Sequence, residues 1–145
     1  MHYYEDIAVG TEHDLGTYTA DRDELLEFAR RYDPQPIHVD PEAAVDTVYG
    51  GLIASGWHTA SSVMRLAVDG FLNDTATVGS FGLEELRWET AVRPGDTVAA
   101  TLTPVEKTPS SSREDRGYTD LDIEAHTEAG ERVLSWRSTN IFLRE

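Results

Sequence analysis

Two residue types that move protons stand five positions apart in Tyr32-Asp33-Pro34-Gln35-Pro36-Ile37-His38. A carboxylate and an imidazole that share one water can polarise it for attack at neutral pH, and neither needs a metal to do so. Pro34 and Pro36 fix their own φ and push Asp33 and Gln35 out of the helical region, so the connection is stiff by sequence. Fully extended, five residues would span up to about 17 Å, at roughly 3.3 to 3.6 Å per residue. Sharing a water requires each side chain to lie within about 3 Å of it, so the loop must curl back on itself. The competing account is that Asp33 caps a chain turn and His38 fills a polar gap. His38-x-Asp40 could be read as a pair of metal ligands, but no further pair follows at ligand spacing. Asp40 before Pro41 is explained better as the cap of a short helix.

A second stretch, Tyr49-Gly50-Gly51-Leu52-Ile53-Ala54-Ser55-Gly56-Trp57-His58, reads as a glycine-rich helix entrance. Its glycines let a ligand or another backbone come close, and the first N–H groups of a helix lack internal partners. Such an end suits a developing oxyanion. Gly56 N–H is the candidate donor, with Ser55, Trp57 and Gln35 as candidate substrate contacts. Trp57 could instead pack the core, given the area an indole buries. His58 reads as a structural histidine and is assigned no chemistry. Ser55 lacks the flanking glycines of a nucleophile elbow. Tyr49-Gly50-Gly51 fails as a phosphate loop because no Lys-Ser/Thr pair follows.

These groups need elements to hold them. Asp21 offers an N-cap with Glu24 three residues on, and Leu25, Phe28, Ala29 and Tyr32 recur at helical spacing, so a helix delivers the chain to Asp33. Arg30 and Arg31 suit its last turn. From Gly56 to about Phe71 the chain is apolar on most sides, which predicts a buried central helix with its N-terminus aimed at the Asp33 loop. Residues 16–19 read as an extended piece, and after Asn73-Asp74 the period changes to two. Strands are expected over residues 81–91, 97–106, around 120–126 and over 133–143, with Arg93-Pro94-Gly95-Asp96 a tight turn. Residues 107–117 are polar and rich in breakers, so they read as an extended hairpin loop with a possible gating role, and Lys107, Arg113 and Arg116 are candidates to meet an anionic cofactor.

Charge narrows the partners. With 27 Asp plus Glu against 12 Lys plus Arg, a formal charge of −15 and one lysine, the chain would repel a phosphate backbone, so nucleic acid is excluded as a partner. Such a charge destabilises the folded state unless salt screens it, which points to a salt-rich cytoplasm. No apolar run long enough for a membrane span and no leader pattern are present, so a cytoplasmic, soluble protein with no membrane partner is expected. Cysteine is absent, which removes disulfides, thiolate metal sites and cysteine nucleophiles. At 145 residues, a single domain over residues 1–145 is expected.

The motifs together, Asp33 to His38, Gly51 to Ala60 and Arg93 to Asp96, resemble the MaoC-like acyl dehydratases, which include (R)-specific enoyl-CoA hydratases, and the likeness covers nearly the whole chain. That family's hydratase motif is often written Asp-x-Asn-Pro-hydrophobic-His. Asp33, Pro36, Ile37 and His38 match it, while Gln35 stands where Asn is usual and Pro34 is extra. The resemblance implies an α+β hotdog domain, an antiparallel β-sheet wrapped around a long central α-helix. It further implies a homodimer or higher homo-oligomer, an acyl-CoA thioester as substrate, and no cofactor or metal. The expected reaction is reversible hydration of a trans-2-enoyl-CoA to an (R)-3-hydroxyacyl-CoA, with Asp33 as base and His38 orienting the water, roles that could be interchanged. Two rivals keep the fold: an acyl-CoA thioesterase, and a non-catalytic acyl-binding subunit.

Overall fold

Alternation in the second half of the chain produces the expected sheet in a computed structural model that describes residues 1–145. The elements in order are β1 (His13–Thr19), α1 (Arg22–Tyr32), α2 (Pro36–Val39), α3 (Pro41–Val45), α4 (Gly56–Gly70), β2 (Thr77–Trp88), β3 (Thr97–Pro109), β4 (Arg116–Thr127) and β5 (Arg132–Leu143). The five strands form one antiparallel sheet in the order β1-β3-β4-β5-β2. With α4 laid on one face, this is the expected hotdog arrangement.

Period two decides which face is which. Along β4, Gly117, Thr119, Leu121, Ile123 and Ala125 are buried, and the residues between them are not. Asp120, Asp122 and Glu124 occupy the other face, where Thr139, Arg137 and Arg132 of β5 donate to them. One cluster of 21 buried residues joins the inner face, including Val98, Leu102, Leu121, Leu134 and Phe142, to Val63 and Ala67 of α4. Each large aliphatic or aromatic side chain fully buried there contributes about 1.5–3 kcal/mol.

The capping signals on either side of Asp33 hold. Asp21 accepts from Glu24 N at 3.0 Å to start α1, and Asp40 accepts from Glu42 N and Ala43 N to start α3. Between them lies a helical turn that the sequence reading missed. Pro34 and Pro36 suggested a stiff irregular loop, but Pro36 occupies the first position of α2, where a missing N–H is harmless and its φ is already helical. That single turn supplies the curl that the spacing of Asp33 and His38 requires.

Three expectations need correction. Helix α4 is buried along one stripe only, through His58, Thr59, Val63 and Ala67, because it packs chiefly over β1 and β3 and leaves its other side open. Trp57 is therefore no core residue: it is 55% exposed, and Met64 is exposed as well. The long hairpin loop over 107–117 shrinks to residues 110–115, since β3 continues to Pro109, which pairs with Gly117. Strand β2 runs from Thr77 to Trp88 rather than 81–91; the chain then leaves the sheet to reach the start of α4, where Ala54 N donates to Val92 O at 2.8 Å. No helix is long and apolar enough to cross a membrane.

Candidate active site

Helix α1 ends on Asp33, whose N–H donates to Ala29 O as the C-cap, so the carboxylate is presented where the helix stops. One turn later α2 carries His38, buried, with its Nε2 3.4 Å from Asp33 Oδ2. The strand-like segment before α4 fixes the imidazole from the other side. Ile53 N donates to Ile37 O at 3.1 Å, and Ile53 O lies 2.9 Å from His38 Nδ1. A carbonyl only accepts, so Nδ1 carries a proton and, in neutral His38, Nε2 presents its lone pair toward Asp33.

When Nε2 carries no proton, the two acceptors 3.4 Å apart have nothing to share directly. A water, with two O–H groups, can donate one to the carboxylate and one to Nε2, leaving its own lone pairs free to attack.

Asp33 is held by more than its neighbour. Gln35 Nε2 donates to Oδ1 at 2.8 Å, and Ser55 Oγ donates to Oδ2 at 2.7 Å. The Gln35 amide first, then the Ser55 hydroxyl and the nearby His38, keep the Asp33 carboxyl below the usual aspartate range, against partial desolvation that pushes it up. The group is ionised at neutral pH and ready to accept a proton.

The start of α4 closes the site. Ser55 is its N-cap and also accepts from Trp57 N at 3.3 Å. Gly56 follows as the first helical residue, so its N–H has no acceptor within the helix. These groups face a cleft of about 390 Å³, lined among others by Asp33, Gln35, His38, Gly56 and Trp57. Of the residues singled out from sequence, five thus share one cleft. Ser55 does not line it. It is fully buried, and its hydroxyl is committed to Asp33 and to Trp57 N, so it supports the carboxylate rather than touching a substrate.

Lys107, Arg113 and Arg116 are also elsewhere. Lys107 donates to Ile7 O and sits over the Tyr4 ring, while both arginines turn to Asp115. His58 is buried in the contact between α1 and α4, with Nε2 3.2 Å from Glu24 Oε1 and Nδ1 without a partner, so it is only half satisfied.

Sequence reasoning missed the opposite wall. Trp88 at the end of β2 and the following residues to Val92 line the same cleft. Trp88 lies on the same strand face as the half-buried Leu86, and the spacing of the strand does not mark it as part of a cleft. Gly56 carried the only available signal, a close approach by an unnamed neighbour. A Cβ there would lie 2.6 Å from the Trp88 ring, and Trp88 Nε1 donates to Gly56 O at 2.8 Å.

Comparison with known proteins places the chain in a family and a fold. A family model described as MaoC like domain matches residues 6–125. The crystal structure of a MaoC-like dehydratase from Rhodospirillum rubrum superposes with a TM-score of 0.92 at 36% identity, covering 100% of this chain and 99% of that one. A protein named (R)-specific enoyl-CoA hydratase, also from Rhodospirillum rubrum, is 30% identical over 108 residues, 71% of this chain and 69% of its own. Protein MaoC of Klebsiella aerogenes is 29% identical over 112 residues, 77% of this chain but only 33% of that longer protein.

Proposed function

This chain belongs to the MaoC-like dehydratase family, whose role is hydration and dehydration, and we propose that it adds water reversibly to a trans-2-enoyl-CoA to give an (R)-3-hydroxyacyl-CoA. The observation that carries the reading is the placement of Asp33 Oδ2 and His38 Nε2 3.4 Å apart beside a cleft that Gly56 also lines.

In the forward direction the water oxygen bonds to C3 as one of its protons passes to Asp33. The π electrons move toward the thioester oxygen, where Gly56 N–H meets charge that is absent from the bound substrate and builds up through the transition state to the enolate. Collapse of the enolate takes a proton at C2, returned from the acid just formed, so the pair ends as it began. His38 fixes the second O–H of the water and thereby the direction of its lone pair. The reverse sequence is dehydration.

The experiment is hydration of crotonyl-CoA followed by loss of the enoyl absorbance. Asp33→Asn and His38→Ala should each lower the rate by on the order of 10² or more. Full activity in both variants would sink the assignment, and release of free CoA thiol without water addition would mark a thioesterase instead.

The same reading includes a cytoplasmic location and assembly into a homodimer or higher homo-oligomer. Strand β2 is an edge strand exposing Val78, Phe81 and Leu83, and Phe81 is 70% exposed. An unpaired apolar edge of this length needs cover. Light scattering that returned the mass of one chain at micromolar concentration would remove this part of the reading.

A further inference from the structure

Two of the three tryptophans in this chain are exposed, and both stand on the rim of one cleft. Trp136 is buried in the core, but Trp57 and Trp88 are 55% and 44% exposed and meet edge to face, with ring centroids 5.1 Å apart. Indoles left this open are costly unless something covers them, and a cleft holding an acid–base pair points to the reacting molecule's apolar part.

We propose that Trp88 is a specificity-determining residue that limits the acyl cleft to short chains. The proposal rests on the hydratase reading for the identity of the ligand as an acyl thioester.

Three features make the Trp88 indole a fixed wall. Its Nε1 donates to Gly56 O, its ring occupies the space a Cβ on Gly56 would need, and its edge contact with Trp57 braces it from the helix side. The backbone around it is tied as well: Trp88 pairs with Leu134 in the sheet, Glu89 N donates to Val133 O, and Ala54 N donates to Val92 O. With its one polar atom bonded to Gly56 O and its ring against Gly56 and Trp57, the indole is braced against displacement by a longer chain.

The position of the wall leads to the same limit, because the Trp88 ring packs directly against Gly56. Gly56 N–H also places the thioester carbonyl next to Trp88, so the wall acts within the first few carbons of the chain.

The test is binding of butyryl-CoA and decanoyl-CoA to the full chain by titration calorimetry. Neither saturated thioester can be hydrated, so the readout is independent of turnover, and the CoA handle cancels in the ratio. The wild type should bind butyryl-CoA at least as tightly as decanoyl-CoA. Trp88→Ala should raise the decanoyl-to-butyryl affinity ratio by about tenfold or more, the scale on which a pocket discriminates a methylene or two. Trp88→Leu, which keeps an apolar side chain on the strand and guards against misfolding, should shift it in the same direction by less. Folded variants with an unchanged ratio, or a wild type that prefers decanoyl-CoA, would overturn the proposal. A wild type that shows the expected ratio yet fails to hydrate crotonyl-CoA would leave the acyl wall standing and remove the hydratase reading alone.

Discussion

Ser55→Ala separates what positions Asp33 from what reacts. The hydroxyl is fully buried, donates to Asp33 Oδ2 at 2.7 Å and caps α4 by accepting from Trp57 N at 3.3 Å. A hydrogen bond to a charged group contributes about 1.5–3 kcal/mol, and an N-cap about 0.5–2 kcal/mol, with the long Trp57 contact at the low end. Asp33 is 18% exposed, so water replaces part of the lost donor. The expected loss of stability is thus about 2–3 kcal/mol, which at roughly 2–4 °C per kcal/mol lowers Tm by about 4–12 °C. Urea unfolding of Ser55→Ala, Asp33→Ala and the double variant isolates the bond itself. The coupling should be about 1.5–2 kcal/mol, since the cap term cancels in the cycle. Crotonyl-CoA hydration should fall by about tenfold in Ser55→Ala, less than for Asp33→Asn, because Gln35 still holds the other carboxylate oxygen. A coupling below about 0.5 kcal/mol, the spread expected of independent sites, would refute the claim that Ser55 anchors the carboxylate.

The other predictions concern pH and salt. Gln35→Leu removes the donor that contributes most to keeping Asp33 acidic, so the Asp33 carboxyl resonance, followed by carbon NMR, should titrate at higher pH than in the wild type; a titration that stays put would contradict the role of Gln35. Because the folded value is depressed, Asp33 stabilises the fold above its unfolded pKa of about 3.9, and that contribution is lost as pH falls through the folded value. Gln35→Leu should lose part of it at neutral pH. Added KCl should raise Tm for a chain of formal charge −15, as the Debye length falls from about 8 Å at 0.15 M salt to 3 Å at 1 M. Beside the cleft, a groove of about 680 Å³ carries Glu89, Asp96, Glu128 and Glu131 against Arg93. KM for crotonyl-CoA should therefore fall as KCl rises, while KM for the uncharged crotonyl thioester of N-acetylcysteamine stays level; parallel behaviour of the two would remove the electrostatic explanation.

Local chemistry was legible in the sequence where neighbours along the chain decide the outcome. Asp21 and Asp40 cap helices because their side chains need reach only two or three residues. Leu121, Ile123 and Ala125 face the core because a strand alternates. Pro94-Gly95 turns the chain with Gly95 at φ +89°, a conformation that glycine adopts freely. What stayed hidden depends on which face of an element another element covers. An apolar α4 predicted burial all round, but it packs on the sheet chiefly over β1 and β3. Trp57 was consequently left on the rim, and no periodicity encodes that choice. Ser55 is the same lesson at closer range: its type suggested a contact with substrate, and only the approach of Asp33 across 22 residues shows that its hydroxyl is already engaged.

Gly56 is where these two kinds of information meet. Its place at the start of a helix, readable in sequence, leaves an N–H free to receive charge from a thioester oxygen. Its lack of a Cβ, which looked like general permissiveness, has one specific beneficiary, the Trp88 ring that occupies the space. The donor and the acyl wall are therefore two properties of one residue. Enlarging Gly56 to widen or narrow specificity would move Trp88 and disturb the donor together, whereas a change at Trp88 removes its bond to Gly56 O but leaves Ser55 capping the helix. The acid–base pair, fixed by α1, α2 and Ile53 O, does not touch the hydrogen bond of the Trp88 indole, so a change at the end of β2 can alter the wall without altering the pair.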